Sequence, residues 1–170
     1  MNKLLKTIPE GSSYCFYKSP FQKILLVACN KYLRALIFEK SFDFRDIAQY
    51  TSINENKSHS ILSETCKQLE QFFTNKRKNF DIPLYLEGTD FQKSSWGVLK
   101  TIPYGKTISY QEQAKQLGDI KKCRAVGAAN GKNPIAIIVP CHRVIAKSGA
   151  LQGFGGGLDF KKYLLNLEKR

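Results

Sequence analysis

The chain has 170 residues and a mass of 19.3 kDa, and 42% of its residues are hydrophobic. This composition excludes an intrinsically disordered chain and suits one large or two small domains with a packed core. Lys and Arg number 27 against 14 Asp and Glu, and the formal net charge of +13 favours polyanionic partners, either nucleic acid or an anionic membrane surface. Residues 1–88 carry 13 basic and 9 acidic side chains, net +4, whereas residues 89–170 carry 14 and 5, net +9. The C-terminal half is therefore the candidate contact surface.

No run of 18 apolar residues occurs, and the first ten residues lack the apolar stretch of a signal peptide. We therefore expect an intracellular protein without a membrane partner. The cysteines are odd in number, have no paired spacing and are expected to be reduced thiols. They are Cys15, Cys29, Cys66, Cys123 and Cys141.

The N-terminal half predicts a small antiparallel sheet covered by one helix. Strands are expected at residues 14–17, 24–29 and 33–38, separated by turn-forming residues. From Ser58 the apolar residues recur at helical spacing over roughly four turns. These residues are Ile61, Leu62, Cys66, Leu69, Phe72 and Phe73. The basic, polar residues 74–79 then begin a predicted linker that runs to about Thr89.

The C-terminal half predicts a helical region that contains a helix-turn-helix. Phe91, Trp96 and Leu99 share one side of a short helix, which Pro103 and Gly105 end. The segment from Ser109 to Glu112 is a capping-box pattern that starts a further helix, which runs to about Leu117. After a break at residues 118–119, a second helix begins near Lys121 and ends around Gly131.

The second helix combines basic and small side chains. Lys121, Lys122 and Arg124 lie at its start, and residues 125–129 are mostly Ala and Gly. Small side chains let a helix approach another surface closely. That surface is either a neighbouring helix or a groove of nucleic acid, and the pattern leaves both open.

A cysteine follows a buried apolar run. Residues 135–139, bounded by prolines, predict a buried extended segment, and Cys141 and His142 come directly after Pro140. The cysteine is either an inert core residue or a nucleophile whose thiol proton passes to the imidazole, directly or through a water molecule. Adjacent residues do not face each other in a regular strand, so a Cys-His unit requires irregular backbone, which the prolines favour.

A third group should orient the imidazole. Asp159 and Glu168 are the acidic candidates downstream. Asp159 precedes a helical pattern and is predicted to be its N-cap, which leaves Glu168, near the end of that helix, as the orienting residue. The alternative interpretation of Glu168 is an exposed surface acid.

Taken together, these residues closely resemble the O6-alkylguanine-DNA alkyltransferase family of direct-reversal DNA repair proteins. The resemblance covers about residues 89–168, and the N-terminal half fits only through its sheet-plus-helix pattern and Ser19-Pro20. The segments that carry it, in chain order, are Phe91-Gln92 with Trp96; Ile102-Pro103-Tyr104-Gly105; Ser109-Tyr110; Arg124-Ala125-Val126-Gly127; Asn133-Pro134; Pro140-Cys141-His142-Arg143-Val144; and a Gly-rich loop before Lys161, Leu164, Leu165 and Glu168.

The resemblance implies an α/β (α+β) fold. Residues 1–88 would form a scaffold domain, a small antiparallel sheet with a covering helix and a linker. Residues 89–170 would form the mostly helical DNA-binding and alkyltransferase domain, with the helix-turn-helix and an active-site loop.

The resemblance also implies a role for each site residue. Cys141 would accept the alkyl group, His142 would activate it through a bound water molecule, and Glu168 would hold the imidazole. Asn133 would fix the turn that bears the cysteine. Tyr110 would donate a hydrogen bond to the flipped guanine and help to rotate its phosphate. No cofactor or metal is implied.

The implied partner is double-stranded DNA that contains O6-alkylguanine, or O4-alkylthymine, approached through the minor groove. Arg124 would fill the gap left by the extruded base, and Lys121, Lys122, Ala125 and Ala128 would contact the DNA around it. We expect a monomer, with cooperative binding on DNA left open. The expected location is the cytoplasm with the chromosomal DNA, or the nucleus in a eukaryote.

The base pocket is the place where this sequence departs from the family pattern. Val144 and the backbone of residues 151–156 would line it, with Phe154 where a tyrosine is usual and Gly155 and Gly156 after it. The phenyl ring keeps an aromatic wall but supplies no hydroxyl. Tolerance of bulky O6 groups is therefore open.

Three alternative interpretations compete with this one, and a zinc site in the N-terminal half is a separate question. A non-catalytic alkylated-DNA-binding protein would have tryptophan in place of Cys141, and a cysteine hydrolase would turn over an ester or amide. A structural interaction module would not bind DNA. A zinc site at Cys15, Cys29 and His59 lacks standard finger spacing.

Overall fold

The computed structural model describes residues 8–41, 43, 47 and 53–169. The chain divides into two compact units, Met1–Leu86 and Glu87–Arg170. Within the described residues, no helix has both the length and the apolar character needed to span a membrane.

The N-terminal unit contains a four-stranded sheet in the order β3-β2-β1-β4. The predicted antiparallel strands are confirmed as β1 (Ser12–Lys18), β2 (Lys23–Ala28) and β3 (Leu33–Phe38). A fourth strand, β4 (Ile53–Glu55), pairs parallel with β1 and makes the sheet mixed. The sequence did not predict β4 because three residues are too few to show alternation.

Both faces of this sheet are covered. The predicted helix is confirmed as α1 (Ser60–Phe73), and on its side of the sheet the ring of Tyr17 stacks on Phe73. The opposite face holds a cluster of buried aliphatic residues. Its members are Ile8, Leu25, Val27, Ala35, Ile37, Ile47 and Ile53. Burial on both faces explains why residues 24–28 are apolar without alternation.

The predicted linker is attached to the N-terminal unit rather than free. The amide of Leu33 donates to the carbonyl of Pro83 at 2.8 Å, and the amide of Tyr85 donates to the carbonyl of Leu33 at 3.0 Å. Residues 83–85 thereby extend the sheet along the edge of β3. The side chain of Gln68 also exchanges two hydrogen bonds with the backbone of Asp81, at 2.8 and 3.1 Å.

The first helix of the C-terminal unit is α2 (Asp90–Thr101). A capping box formed by Thr89 and Gln92 stabilises its N-terminus. Trp96 is buried, and its indole N–H donates to the carbonyl of Ala129 at 2.9 Å. Two short parallel strands, β5 (Ile108–Ser109) and β6 (Val144–Ile145), pair further along the chain.

The predicted helix-turn-helix is present. The capping box of Ser109 and Glu112 starts α3 (Tyr110–Gln116), and a 3₁₀ turn (Ile120–Lys122) leads into α4 (Cys123–Gly131). A buried amide pair joins the two helices, because Asn130 Nδ2 donates to Gln113 Oε1 at 2.7 Å and Gln113 Nε2 returns a bond of 3.2 Å to Asn130 Oδ1. This pair fixes α4 against α3.

Two local predictions are wrong. Residues 135–139 are buried but not extended, because Ile137 has φ of +73° and Val139 bonds back to the carbonyl of Ile135 at 2.9 Å, forming a tight turn. The final helix, α5 (Leu158–Glu168), is capped by Gly157, with φ of +89°, and not by Asp159. Asp159 lies in the first turn, where its charge complements the helix dipole.

Candidate active site

Cys141 lies in a 3₁₀ turn (Cys141–Arg143) directly after Pro140. The predicted irregular backbone is therefore present, and the thiol is 7% exposed. Asn133 braces the preceding turn at both ends: its Nδ2 donates to the carbonyl of Val139 at 2.7 Å, and its Oδ1 accepts from the amide of Ile135 at 3.1 Å. The amide side chain thereby holds the backbone that presents the sulfur.

Glu168 is 4% exposed, so the surface-acid interpretation is wrong. Its Oε1 lies 2.7 Å from Nε2 of His142. Arg143 donates to both carboxylate oxygens, from Nε at 2.9 Å and from Nη2 at 3.0 Å, and the amide of Gly105 donates to Oε2 at 3.0 Å. Burial alone would raise the pKa of Glu168, but the hydrogen bonds and charges of His142 and Arg143 bring this pKa down to about 2. The carboxylate is therefore ionised.

The ionised carboxylate decides the tautomer of His142. A carboxylate only accepts hydrogen bonds, so Nε2 carries the proton that is donated to Glu168, and Nδ1 presents a lone pair. Nδ1 is buried and has no hydrogen-bond partner in the part of the chain that the structure describes. Burial lowers the pKa of His142, against the opposing effect of Glu168, and keeps the ring neutral. The imidazole is thus ready to accept a proton at Nδ1.

Burial raises the pKa of the Cys141 thiol, while the Asn133 side chain and the charge of Lys161 act to lower it. The resting thiol is therefore protonated and depends on a base for activation.

Lys161 is a site residue to which the sequence reasoning assigned no role. Its side chain is fully buried, and its ammonium group donates to the carbonyls of Val144 at 2.7 Å and Gln152 at 2.8 Å. Burial lowers the pKa of Lys161 to about 8. A signal for it exists in the sequence, because residues 161, 164 and 168 share one helical face and put the lysine on the side that carries Glu168.

Tyr110, the first residue of α3, lies beside this cluster. Its hydroxyl donates to the carbonyl of Gln152 at 3.2 Å, and Nζ of Lys161 lies 5.8 Å from its ring centroid. Burial raises the pKa of Tyr110, and the negative charge of a Cys141 thiolate raises it further. The structure therefore brings Tyr110 near the cysteine. The hydroxyl group of Tyr110 is the donor, and it bonds to the Gly-rich loop.

The predicted pocket residues are brought together only in part. The ring of Phe154 lies edge-on to His142, with centroids 6.4 Å apart, and also contacts Phe160. Val144 is buried beside the cysteine turn. Gly156 is buried, whereas Gly155 is exposed and has no described contact that ties it to the site.

The predicted DNA-contact residues are all exposed. Ala125 and Ala128 of α4 are exposed, whereas Val126 and Ala129 are buried, so packing against a neighbouring helix explains only the second pair. Lys121, Lys122 and Arg124 are exposed at the start of α4. We call this surface, residues 121, 122, 124, 125 and 128, the α4 face.

The alternative zinc ligands are not assembled. The described residues contain no group of three or more His, Cys, Asp or Glu side chains that could hold a metal ion. Cys29 donates to the carbonyl of Tyr32, and Cys15 lies against Cys66.

Comparison with protein families decides the class. Residues 90–170 match the model described as the DNA-binding domain of 6-O-methylguanine DNA methyltransferase, and residues 13–86 match its ribonuclease-like domain. The chain belongs to the 6-O-methylguanine DNA methyltransferase family. The resemblance and the fold class expected from the sequence are both confirmed.

Individual members of this family are similar to the chain in sequence and in structure over most of its length. It is 46% identical over 155 residues to the methylated-DNA–protein-cysteine methyltransferase of Methanosarcina acetivorans, which covers 91% of this chain and 97% of that protein. The crystal structure of the Mycobacterium tuberculosis O6-methylguanine methyltransferase has a TM-score of 0.83 at 42% identity and covers 93% of each chain. A structure of the M. tuberculosis protein in complex with DNA has a TM-score of 0.84 at 43% identity and covers 92% of each chain.

Proposed function

We propose that the protein repairs O6-alkylguanine in double-stranded DNA by transferring the alkyl group to Cys141 in a single turnover. The observation that carries this proposal is the buried thiol beside a neutral imidazole that an ionised Glu168 orients, in a chain of the 6-O-methylguanine DNA methyltransferase family. Relatives named methylated-DNA–protein-cysteine methyltransferase support it. O4-alkylthymine is the second expected substrate.

Activation begins with a proton transfer. The raised pKa of Cys141 and the lowered pKa of His142 mean that the resting pair is a thiol and a neutral ring. The thiol proton moves to Nδ1 of His142, directly or through one water molecule, and Glu168 stabilises the imidazolium that forms. Lys161 supplies a nearby positive charge that favours the thiolate.

The thiolate then attacks the saturated carbon attached to O6 of guanine. The new S–C bond forms as the C–O bond breaks, and the electron pair of that bond remains on guanine. Tyr110 offsets the charge that develops on the leaving base by donating its hydroxyl hydrogen. The product is a thioether, which has no carbonyl for water to attack, so each protein molecule reacts once.

Access to the alkyl carbon requires an extruded base, because the carbon is shielded in stacked DNA. Extrusion costs a few kcal/mol, and Arg124 lowers this cost by filling the gap that the base leaves. The α4 face suits entry into the minor groove, because Ala125 and Ala128 let the helix backbone approach closely. Lys121 and Lys122 supply phosphate contacts. The protein acts as a monomer in the compartment that holds the chromosomal DNA, the cytoplasm or, in a eukaryote, the nucleus.

The test is the intact mass of the protein after incubation with a duplex that contains O6-methylguanine. We expect a gain of one methyl group, mapped to Cys141, and no gain with unmodified DNA of the same sequence. A hydrolase would return to its original mass, and a non-reactive binding protein would hold the duplex without any change in mass. Either result would overturn the proposal.

A further inference from the structure

Cys15 and Cys66 make a thiol–thiol contact that the repair chemistry does not use. Cys15 lies on β1, Cys66 lies on α1, and their sulfur atoms are 3.7 Å apart. Both belong to the N-terminal unit, whereas Cys141 belongs to the C-terminal unit. Cys29 and Cys123 instead point at backbone carbonyl oxygens, 3.6 and 2.9 Å away. Among the described residues, which include all five cysteines, Cys15 and Cys66 are the pair of thiols that lie in contact.

Neighbouring contacts hold this pair in register. Tyr17 follows Cys15 by two residues and lies on the same face of β1. Its hydroxyl donates to Oε2 of Glu70 at 2.9 Å, and Glu70 lies one helical turn after Cys66. The ring of Tyr17 also stacks on Phe73, with centroids 6.1 Å apart. The approach of the two sulfur atoms is thus a consequence of how α1 packs on β1.

The two thiols have different surroundings. Cys15 is 3% exposed, whereas Cys66 is only partly buried. The hydrogen bond between the sulfur atoms raises the pKa of Cys15 and lowers the pKa of Cys66. Cys66 is therefore the thiol that ionises first and that an oxidant reaches first.

We propose that Cys15 and Cys66 form an oxidation site, at which hydrogen peroxide or a small organic hydroperoxide converts the two thiols into a disulfide. The Cys66 thiolate attacks the O–O bond of hydrogen peroxide and becomes a sulfenic acid, and the displaced hydroxide takes up a proton to form water. The Cys15 thiol then attacks the sulfenic sulfur, the S–S bond forms, and a second water molecule leaves. Two thiols and one peroxide thus yield one disulfide and two water molecules.

The geometry permits this product. The sulfur atoms must approach from 3.7 Å to about 2.05 Å, a change that small side-chain rotations at two adjacent elements can supply. The disulfide would join β1 to α1 inside the N-terminal unit. Cys141, shielded and protonated at rest, would keep its thiol.

The experiment treats the full chain, reduced and freed of reductant, with a small molar excess of hydrogen peroxide. After removal of peroxide, the protein is denatured and its free thiols are labelled with N-ethylmaleimide. We expect three of the five cysteines to be labelled, and peptide mapping to find Cys15 joined to Cys66. Labelling of all five cysteines, or a disulfide between any other pair, would overturn the proposal.

Three variants sharpen the result. Cys29→Ser, in the same unit, should still form the disulfide, whereas Cys66→Ser should not. In Cys15→Ser the reaction should stop at the sulfenic acid on Cys66, which dimedone traps. This second readout remains valid even if Cys66→Ser fails to fold. Failure of dimedone to label Cys66 there would contradict the assigned order of steps.

A final arm separates this site from the repair reaction. The peroxide-treated wild-type protein should accept the benzyl group of free O6-benzylguanine at a rate within about twofold of the reduced protein. If Cys141 no longer reacts with O6-benzylguanine while Cys15 and Cys66 are still reduced, peroxide acts at the acceptor thiol, and the proposal is overturned.

Discussion

The turn that carries Cys141 and the α4 face are built from opposite kinds of side chain. The turn carries His142 and Arg143, which both bond to the ionised Glu168 of α5, and all three side chains are almost inaccessible to solvent. The α4 face presents alanines and basic side chains to solvent. The first arrangement depends on exact hydrogen-bond geometry and the second on shape and net charge. The chemical step and the DNA-binding step should therefore respond to different substitutions, and two substrates separate them: alkylated duplex and free O6-benzylguanine.

The largest effect is expected for Cys141→Ser, which should abolish alkyl transfer to the protein from both substrates. A hydroxyl has a far higher pKa than a thiol, and His142 is too weak a base to activate it. Binding to duplex DNA should persist, as measured by fluorescence anisotropy. The wild-type protein should give a single burst whose amplitude equals the active protein. Continued product formation after that burst would refute the single-turnover scheme.

Glu168→Gln should slow transfer from both substrates about 100-fold or more, because the imidazole loses its orientation and the stabilisation of its charged form. The apparent pKa of Cys141 should rise, which a pH profile of thiol reactivity measures. Folding stability should fall by about 3–5 kcal/mol, since Arg143 is left buried without its carboxylate.

Acid unfolding offers a second readout of Glu168. Its pKa is about 2 in the folded protein, below the roughly 4.3 of an unfolded chain, so its stabilisation is present above pH 4.3 and is lost as the pH falls toward 2. Glu168→Gln should lose this dependence in that window. Asp159→Asn, on the same helix but exposed, is the matched control and should keep the pH dependence that Glu168 supplies. Superimposable acid-unfolding profiles for Glu168→Gln and wild type would contradict the stabilising role of the ionised carboxylate. Superimposable pH profiles of thiol reactivity would remove Glu168 from the mechanism.

Arg124→Ala should slow repair of the duplex about 10- to 100-fold and leave the reaction with O6-benzylguanine unchanged. Only the duplex requires an extruded base. The 10- to 100-fold change in rate corresponds to about 1.4–2.7 kcal/mol by which Arg124 stabilises the state with the base extruded. Lys132→Ala also removes one positive charge, at the C-terminal end of α4. This variant therefore shows how much of the effect is due to the loss of charge alone. Equal losses on both substrates would make Arg124 a structural residue instead.

The smallest effects are expected for the two lysines. Affinity for duplex DNA should fall steeply with salt, and Lys121→Ala and Lys122→Ala should each reduce the slope of log K against log salt by about 1. The reaction with O6-benzylguanine should not depend on salt. A slope that neither variant changes would exclude these side chains from phosphate contact.

The sequence predicted those features that local chemistry specifies. Capping residues specified the start of α3, and the spacing of apolar residues located α1 and α5. Glu168 was chosen by exclusion of Asp159 as a cap. The structure places that carboxylate against His142, but the reason for choosing it was wrong, because Gly157 is the cap.

The features that the sequence missed depend on contacts between distant residues. Residues 135–139 have the composition of a strand, and only the fold bends them into a turn around Asn133. Helical spacing puts Lys161 on the side of α5 that carries Glu168, but no local pattern identifies the carbonyl groups that it bonds. The same holds for the carboxylate partner of the buried Arg143. β4 exists only because β1 offers it an edge.

The pairing of His142 with Glu168 spans 26 residues and has a consequence for synthesis of the chain. Translation adds Cys141 and His142 to the chain before Glu168, the residue that orients the imidazole. A nascent chain that ends within this interval has the acceptor thiol but not its activating partner. Because each reaction consumes one protein molecule, we expect Cys141 to reach full reactivity only after α5 has folded and Glu168 has met the imidazole.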